Sequence, residues 1–243
     1  MKPETDLHIR FYQPSDRDRV RQICCDTGFL GKPIDPVFQD RELFADYLTS
    51  YYTDVEPESA VVLESGGEVK GYILGSRHPA KQDAYDSRNN IRLFLRGITR
   101  YFSTYNGASR RYVRWILTKG WREVPHKPEK MAHFHINLLA PYRTVRGTHD
   151  MIEFFLDYLH KAGEPAVYGQ VVTFEKRRGE RMFARYGFDL KDCVEVTKYR
   201  HLVADPVYLF TVVKDLRQNP KLYGKDLWKE VKAAEEEGEG QTA

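Results

Sequence analysis

Cysteine is scarce in this sequence, and no apolar stretch is long. The three cysteines, Cys24, Cys25 and Cys193, are odd in number with two adjacent, which does not make a disulfide framework. For the adjacent pair, a redox reading stands beside burial on a helix face. His and Cys do not recur at zinc spacing, so no metal site is expected. No run approaches the roughly 18 apolar residues of a membrane span. The start, MKPETDLHIRFYQ, lacks the apolar segment of a secretory signal. These absences lead to the expectation of a cytoplasmic protein with no membrane partner.

What is present suits a globular chain. Its 243 residues are 41% hydrophobic and 30% charged, enough for one large domain or a domain with an insertion. The net charge is +3, but it is unevenly spread. Thirteen Lys and Arg between Arg77 and Lys130 face only four acids, so that segment carries +9 and the rest of the chain −6. It reads as a concentrated positive charge on a mildly acidic body.

Patterning gives the order of elements. HIRFYQ alternates as a strand, and PSDRDRVRQICCDTG opens a helix that Ser15 can cap, with Asp18 at the capping-box position and Gly28 as its stop. DRELFADYLTSYYTD is a second amphipathic helix. Two β-rich runs flank Gly66-Gly67, a tight hairpin. The basic segment follows, with a helical stripe at Ile91, Phe94, Leu95, Ile98 and Phe102 that predicts core packing, extended by Trp115 and Trp121. After the strand AHFHINLLA come a loop, a helix to Ala162, the strand AVYGQVV and a short helix in KRRGERMFARYGF. VEVTKYRHL and PVYLFTVVKDL are read as two antiparallel strands, and the tail begins helical and ends acidic. The order β-α-α-β-β, helical insert, β-α-β-α-β-β predicts an α/β chain around a mixed sheet.

The loop APYRTVRGTHDM and the pieces around it carry a resemblance. Strand, loop and helix resemble the GNAT (N-acetyltransferase) superfamily, whose loop is patterned Arg/Gln-x-x-Gly-x-Gly/Ala. Arg143 takes the first position, Arg146 stands at the first glycine and Thr148 at the second. KRRGERMFARYGF resembles the late helix of that family, keeping Gly187-Phe188 but carrying Lys176 for Asn, Gly179 for Ala and Phe183 for Tyr. CCDTGFLG, YYTDVEPESAVVLE, GEVKGYILGS and HINLL fit one branch. The resemblance implies a GNAT-like, mostly antiparallel mixed sheet flanked by helices over 1–213, with 77–130 as an insertion between the third and fourth strands and 214–243 as a C-terminal helix and tail.

It also implies an activity: acyl transfer from acetyl-CoA, or another acyl-CoA, to a primary amine by direct attack. Cofactor contacts would come from Arg143, Arg146, Gly147, Thr148 and Lys176, with the thioester carbonyl polarised by a backbone N–H at Leu138 or Leu139. A helix N-terminus suits a pyrophosphate, the arginines add charge-assisted hydrogen bonds, Thr148 can cap the helix, and Asp150 can hold one arginine. An ordinary strand-to-helix turn with solvated arginines is the alternative. Strand alternation puts His133, His135 and Asn137 on one face. His135 is the expected base, beside the reading of a buried, satisfied His. Asn137 would orient substrate. Tyr186 replaces the missing Tyr as acid, with Tyr168 as another candidate, and both also read as core. Asp26, Tyr51 and Tyr52 would contact the acceptor amine, a small molecule or a protein. The basic insert would act as a lid, meet an acidic partner or nucleic acid, or simply be solvated; a dimer is open. The rival to an enzyme is a catalytically weak acyl-CoA-binding or partner-binding module.

Overall fold

The computed structural model describes residues 7–174, 183–184, 186–218 and 220–222. Seven strands form one sheet in the order β1-β2-β3-β4-β5-β7-β6. They are β1 (Leu7–Phe11), β2 (Ala60–Ser65), β3 (Glu68–Ser76), β4 (Ala132–Leu138), β5 (Ala166–Thr173), β6 (Asp189–Glu195) and β7 (Tyr208–Asp215). All neighbours are antiparallel except β4 and β5. The helices are α1 (Arg17–Thr27), α2 (Arg41–Asp54), α3 (Pro79–Ser103), α4 (Gly107–Trp115) and α5 (Val145–Lys161). The expected mixed α/β architecture is therefore the observed one.

The β2–β3 turn is the expected hairpin: Gly66 and Gly67 have φ of +60° and +74°, values glycine adopts without a Cβ clash. Each sheet face is covered. On one side α1 and α2 bury Val20, Ile23, Phe44 and Tyr51 against Val62, Tyr72 and Leu74. On the other, α5 buries Met151, Phe155, Leu156 and Leu159 against Leu63, Ile73 and Phe134. Alternation along β3 thus sends Ile73 to one core and Tyr72 and Leu74 to the other.

Three local expectations are corrected. Ser15 does not cap α1: Pro14–Asp16 forms a 3-10 turn first, and Asp16 closes it by accepting from the Gln13 N–H at 2.8 Å. The sixth strand lies earlier, at Asp189–Glu195, because Thr197–Tyr199 winds into a 3-10 turn. The insert is helical and sits between β3 and β4, but it packs inward through Leu93, with Ile98 half-buried, and the rest of its expected apolar stripe faces out. Ile91, Phe94, Leu95 and Phe102 are half to three-quarters exposed, as is Trp121. The reason is ionic: α3 turns Arg96 and Arg100 inward to Asp46 and Asp40. The late helix lies mostly outside the described residues, as do most of 214–243.

Candidate active site

The site is built where β4 parts from β5. β4 pairs with β3 from Ser76–His133 to Gly71–Leu138. With β5 it pairs only at Ala132–Val167, His133–Tyr168 and Phe134–Gly169, although β5 stays paired with β7 as far as Thr173. From His135 onward the two parallel strands diverge and a gap opens between them. The Leu139 N–H donates to the Lys70 carbonyl at 3.0 Å. Amides alternate between the two sides along an antiparallel strand, so those of His135, Asn137 and Leu139 face β3. Those of Ile136 and Leu138 face the gap. Of the two expected backbone donors, Leu139 is used by the sheet, and Leu138 is the one that faces away from β3, on the side where the pairing with β5 has ended.

The polar strip on β4 is real and faces α1 and α2. Gln82 donates to the Tyr52 hydroxyl at 3.0 Å, and that hydroxyl lies 2.9 Å from His133 Nε2. His133 also lies against the Tyr168 ring, centroids 5.2 Å apart. His135 sits between the rings of Tyr52 and Tyr72, 5.1 and 5.9 Å away, and its Nε2 is buried without a hydrogen-bond partner. Asn137 Nδ2 donates to the Tyr72 hydroxyl at 2.7 Å. Burial disfavours the charged imidazoles, lowering His133 to about 4 and His135 to about 3. Both are neutral at neutral pH. The expectation of a base near its ordinary pKa is corrected accordingly.

Two acceptor candidates are committed elsewhere. The Tyr51 hydroxyl donates to Glu56 at 2.8 Å. Glu56 is fully buried, and also accepts from Ser59, Ser76 and the Arg77 N–H. It forms with Glu58 and His78 the one group among the described residues with metal-ligand potential, but those four donors already occupy its oxygens. Asp26 is ion-paired with Arg41. Tyr52 alone of the three reaches the histidines. Cys24 and Cys25 are buried, and burial pushes their thiols up to about 12 and about 11, so neither is a ready nucleophile.

At the start of α5 the cap is Thr144, not Thr148: Thr144 Oγ1 accepts from the Gly147 N–H at 3.0 Å, and its carbonyl takes the Thr148 N–H. The helix itself offers no acceptor to the Val145 and Arg146 amides, so two N–H groups and the positive end of the helix dipole remain for an anion. The Arg146 guanidinium is exposed beside them, with Asp150 at a loose 3.7 Å. Arg143 instead reaches back to the Gly31 carbonyl at 2.6 Å. Gly31 has φ +81°, and a Cβ there would lie 2.0 Å from Arg143 Nη1. Arg143 is thus a clamp between the two loops.

Tyr186 is half-buried on the opposite, α5 side of the sheet, and Phe183 is core against Phe210. Lys176 lies outside the described residues. Sequence reasoning missed His149. It is buried on α5 with Nε2 unpartnered, and its ring lies 6.4 Å from that of Tyr186. A histidine on the apolar face of an amphipathic helix was the available signal.

No family model and no curated protein matches the chain. Solved structures do. SsHAT is 25% identical, with 87% of this chain and 98% of that chain covered, at a TM-score of 0.56. A polyamine N-acetyltransferase of Drosophila melanogaster is 13% identical, with 87% and 100% covered, TM-score 0.50. A putative acetyltransferase of Salmonella typhimurium, yncA, solved with its cofactor acetyl-CoA, is 12% identical, with 87% and 95% covered, TM-score 0.50. The order of strands, the divergence of β4 from β5 after Phe134 and these likenesses agree on one fold. The chain has a GNAT-like fold, a mostly antiparallel mixed sheet flanked by helices.

Proposed function

We propose that the protein is an acyl-CoA-dependent N-acyltransferase, most simply an acetyltransferase acting on a primary amine. The observation that carries this reading is the gap between β4 and β5, with one strand amide aimed into it and a capped helix start beyond β4. A thioester entering the gap would present its carbonyl to the Leu138 N–H, which is fixed by the β3–β4 ladder and suited to developing negative charge. The pyrophosphate would meet the Val145 and Arg146 amides, Gly147 letting the backbone come close, with the Arg146 side chain adding charge and Thr148 offering a hydroxyl. The acyl-CoA supplies an activated carbonyl and a thiolate leaving group; a direct attack needs no covalent enzyme intermediate.

His135 would hydrogen-bond the attacking amine, directly or through water, because its Nε2 has no protein partner; its low basicity leaves the proton to pass to solvent. Tyr52 and Asn137 hold the walls of that position, through His133 and Tyr72 respectively. Tyr186 would reach the leaving thiolate only through the gap, since it lies on the other face of the sheet. A catalytically weak acyl-CoA-binding module is the second reading, favoured by the low basicity of His135 and by Phe183 in the place of a Tyr. Thiol release during a screen of amines separates the two. Coenzyme A appearing only when an amine is present supports the enzyme; binding of acetyl-CoA with no release for any amine supports the module.

A further inference from the structure

The longest helix among the described residues leaves a second apolar face uncovered. Toward the body α3 turns buried Leu93 and the rings of Tyr85 and Tyr101, together with polar side chains: Gln82 to the Tyr52 hydroxyl, Arg96 to Asp46 at 2.9 Å and Arg100 to Asp40, with Asn89 buried. Outward it shows Ile91, Phe94, Leu95 and Phe102, exposed by 64, 50, 58 and 74%. The inward ion pairs fix its rotation, so the apolar face cannot turn in without breaking them.

Most of the outward apolar positions, with half-buried Ile98, fall on one strict period. Ala84, Arg88, Ile91, Leu95, Ile98 and Phe102 are spaced alternately by four and three residues, the repeat of a seam that meets another helix. A lipid-facing surface needs a broad apolar face and no such register. The set is also symmetric about position 93. Antiparallel pairing with a second copy sets Ala84 against Phe102, Arg88 against Ile98, and Ile91 against Leu95, small against large at the ends. The 25-residue helix is about 37 Å long. Its four most exposed side chains offer on the order of 500 Å². With Ala84, Ile98 and the stems of Arg88 and Arg92, the face approaches the roughly 800 Å² per partner of a stable complex.

We propose that α3 is a two-fold, antiparallel homodimer interface. The two-fold axis brings Arg92 of each copy close to its mate, so salt strengthens the dimer by screening them, whereas binding to an anionic surface weakens with salt.

Sedimentation of the full chain over the micromolar range is the test. The expected species has twice the 28.5 kDa of the monomer, and Leu95→Glu returns it to the monomer with an unchanged circular dichroism spectrum. Phe102→Ser, at the most exposed position, provides a second variant that spares the fold. Copies carrying Ile91→Cys mixed with copies carrying Leu95→Cys should give the mixed disulfide in preference to either self-pair. A monomer at every concentration overturns the proposal. So does a dimer indifferent to both substitutions, Ile91→Cys linking chiefly to itself, or a monomer that binds anionic vesicles through α3 and is released by salt.

Discussion

His135 and His133 connect burial to a measurable property. An exposed histidine titrates near 6.5, and these two are held near 3 and near 4. Between pH 6.5 and 4 the unfolded chain binds protons that the folded chain does not, so stability is complete above pH 6.5 and falls as the pH drops. Asp16, Asp40, Asp54 and Glu56 are also lowered. Their contribution is lost in the same direction, but only below their own ordinary values of 3.8 and 4.5. Denaturant melts should therefore show about 1 kcal/mol lost per pH unit for each buried histidine between pH 6.5 and 4.5, and His135→Leu should flatten that slope. A wild type as stable at pH 4.5 as at 6.5 contradicts the burial argument.

The two arginines of the α5 loop separate at the same scale. Arg146→Ala should weaken acyl-CoA binding about tenfold, the value of one charge-assisted hydrogen bond. Arg143→Ala should instead cost about 1 kcal/mol of stability through the lost Gly31 contact, with a smaller change in affinity. The types and spacing of these residues were legible in the sequence. Which arginine is tied down was not, because that depends on Gly31, more than a hundred residues away in the chain.

Elements were legible where local chemistry decides them. The Gly66-Gly67 hairpin and the two-sided pattern of β4 rest on turn geometry and a period of two. Caps were less so: Pro14 moves the start of α1, and Thr144 outcompetes Thr148 because it stands three residues before the Gly147 N–H it caps. Thr144→Ala should lower stability by about 1 kcal/mol and Thr148→Ala should leave it nearly unchanged, as calorimetric melts of the pair would show. If Thr148→Ala were the costlier, the cap would be misplaced. α3 was misread for a different reason. A 3.6-residue stripe says that one face is apolar, not what it meets. Here Asp40 and Asp46, on α2 and at its start, claim the arginines on the other face.

Across the whole molecule, the insertion's positive charge is partly consumed. Arg77, Arg96, Arg100 and Lys127 pair with Glu164, Asp46, Asp40 and Asp83. Arg110, Arg111, Arg114, Lys119 and Arg122, on α4 and the turn after it, stay exposed. A nucleic-acid role would require affinity for RNA or DNA that falls steeply with salt, and charge reversal at Arg111 and Arg114 would reduce that slope. The α/β order and the GNAT likeness could be read from sequence because several short motifs fall in sequence in the right order. The gap after His135 could not, since strand divergence leaves no mark on residue types.

The central claim is that the gap and the α5 start hold an acyl-CoA. Isothermal titration of the full chain with acetyl-CoA tests it most directly. Saturable one-to-one binding, weakened about tenfold by Arg146→Ala, is the predicted result. The absence of binding heat for a folded chain, or an affinity untouched by Arg146→Ala and Arg143→Ala alike, contradicts it.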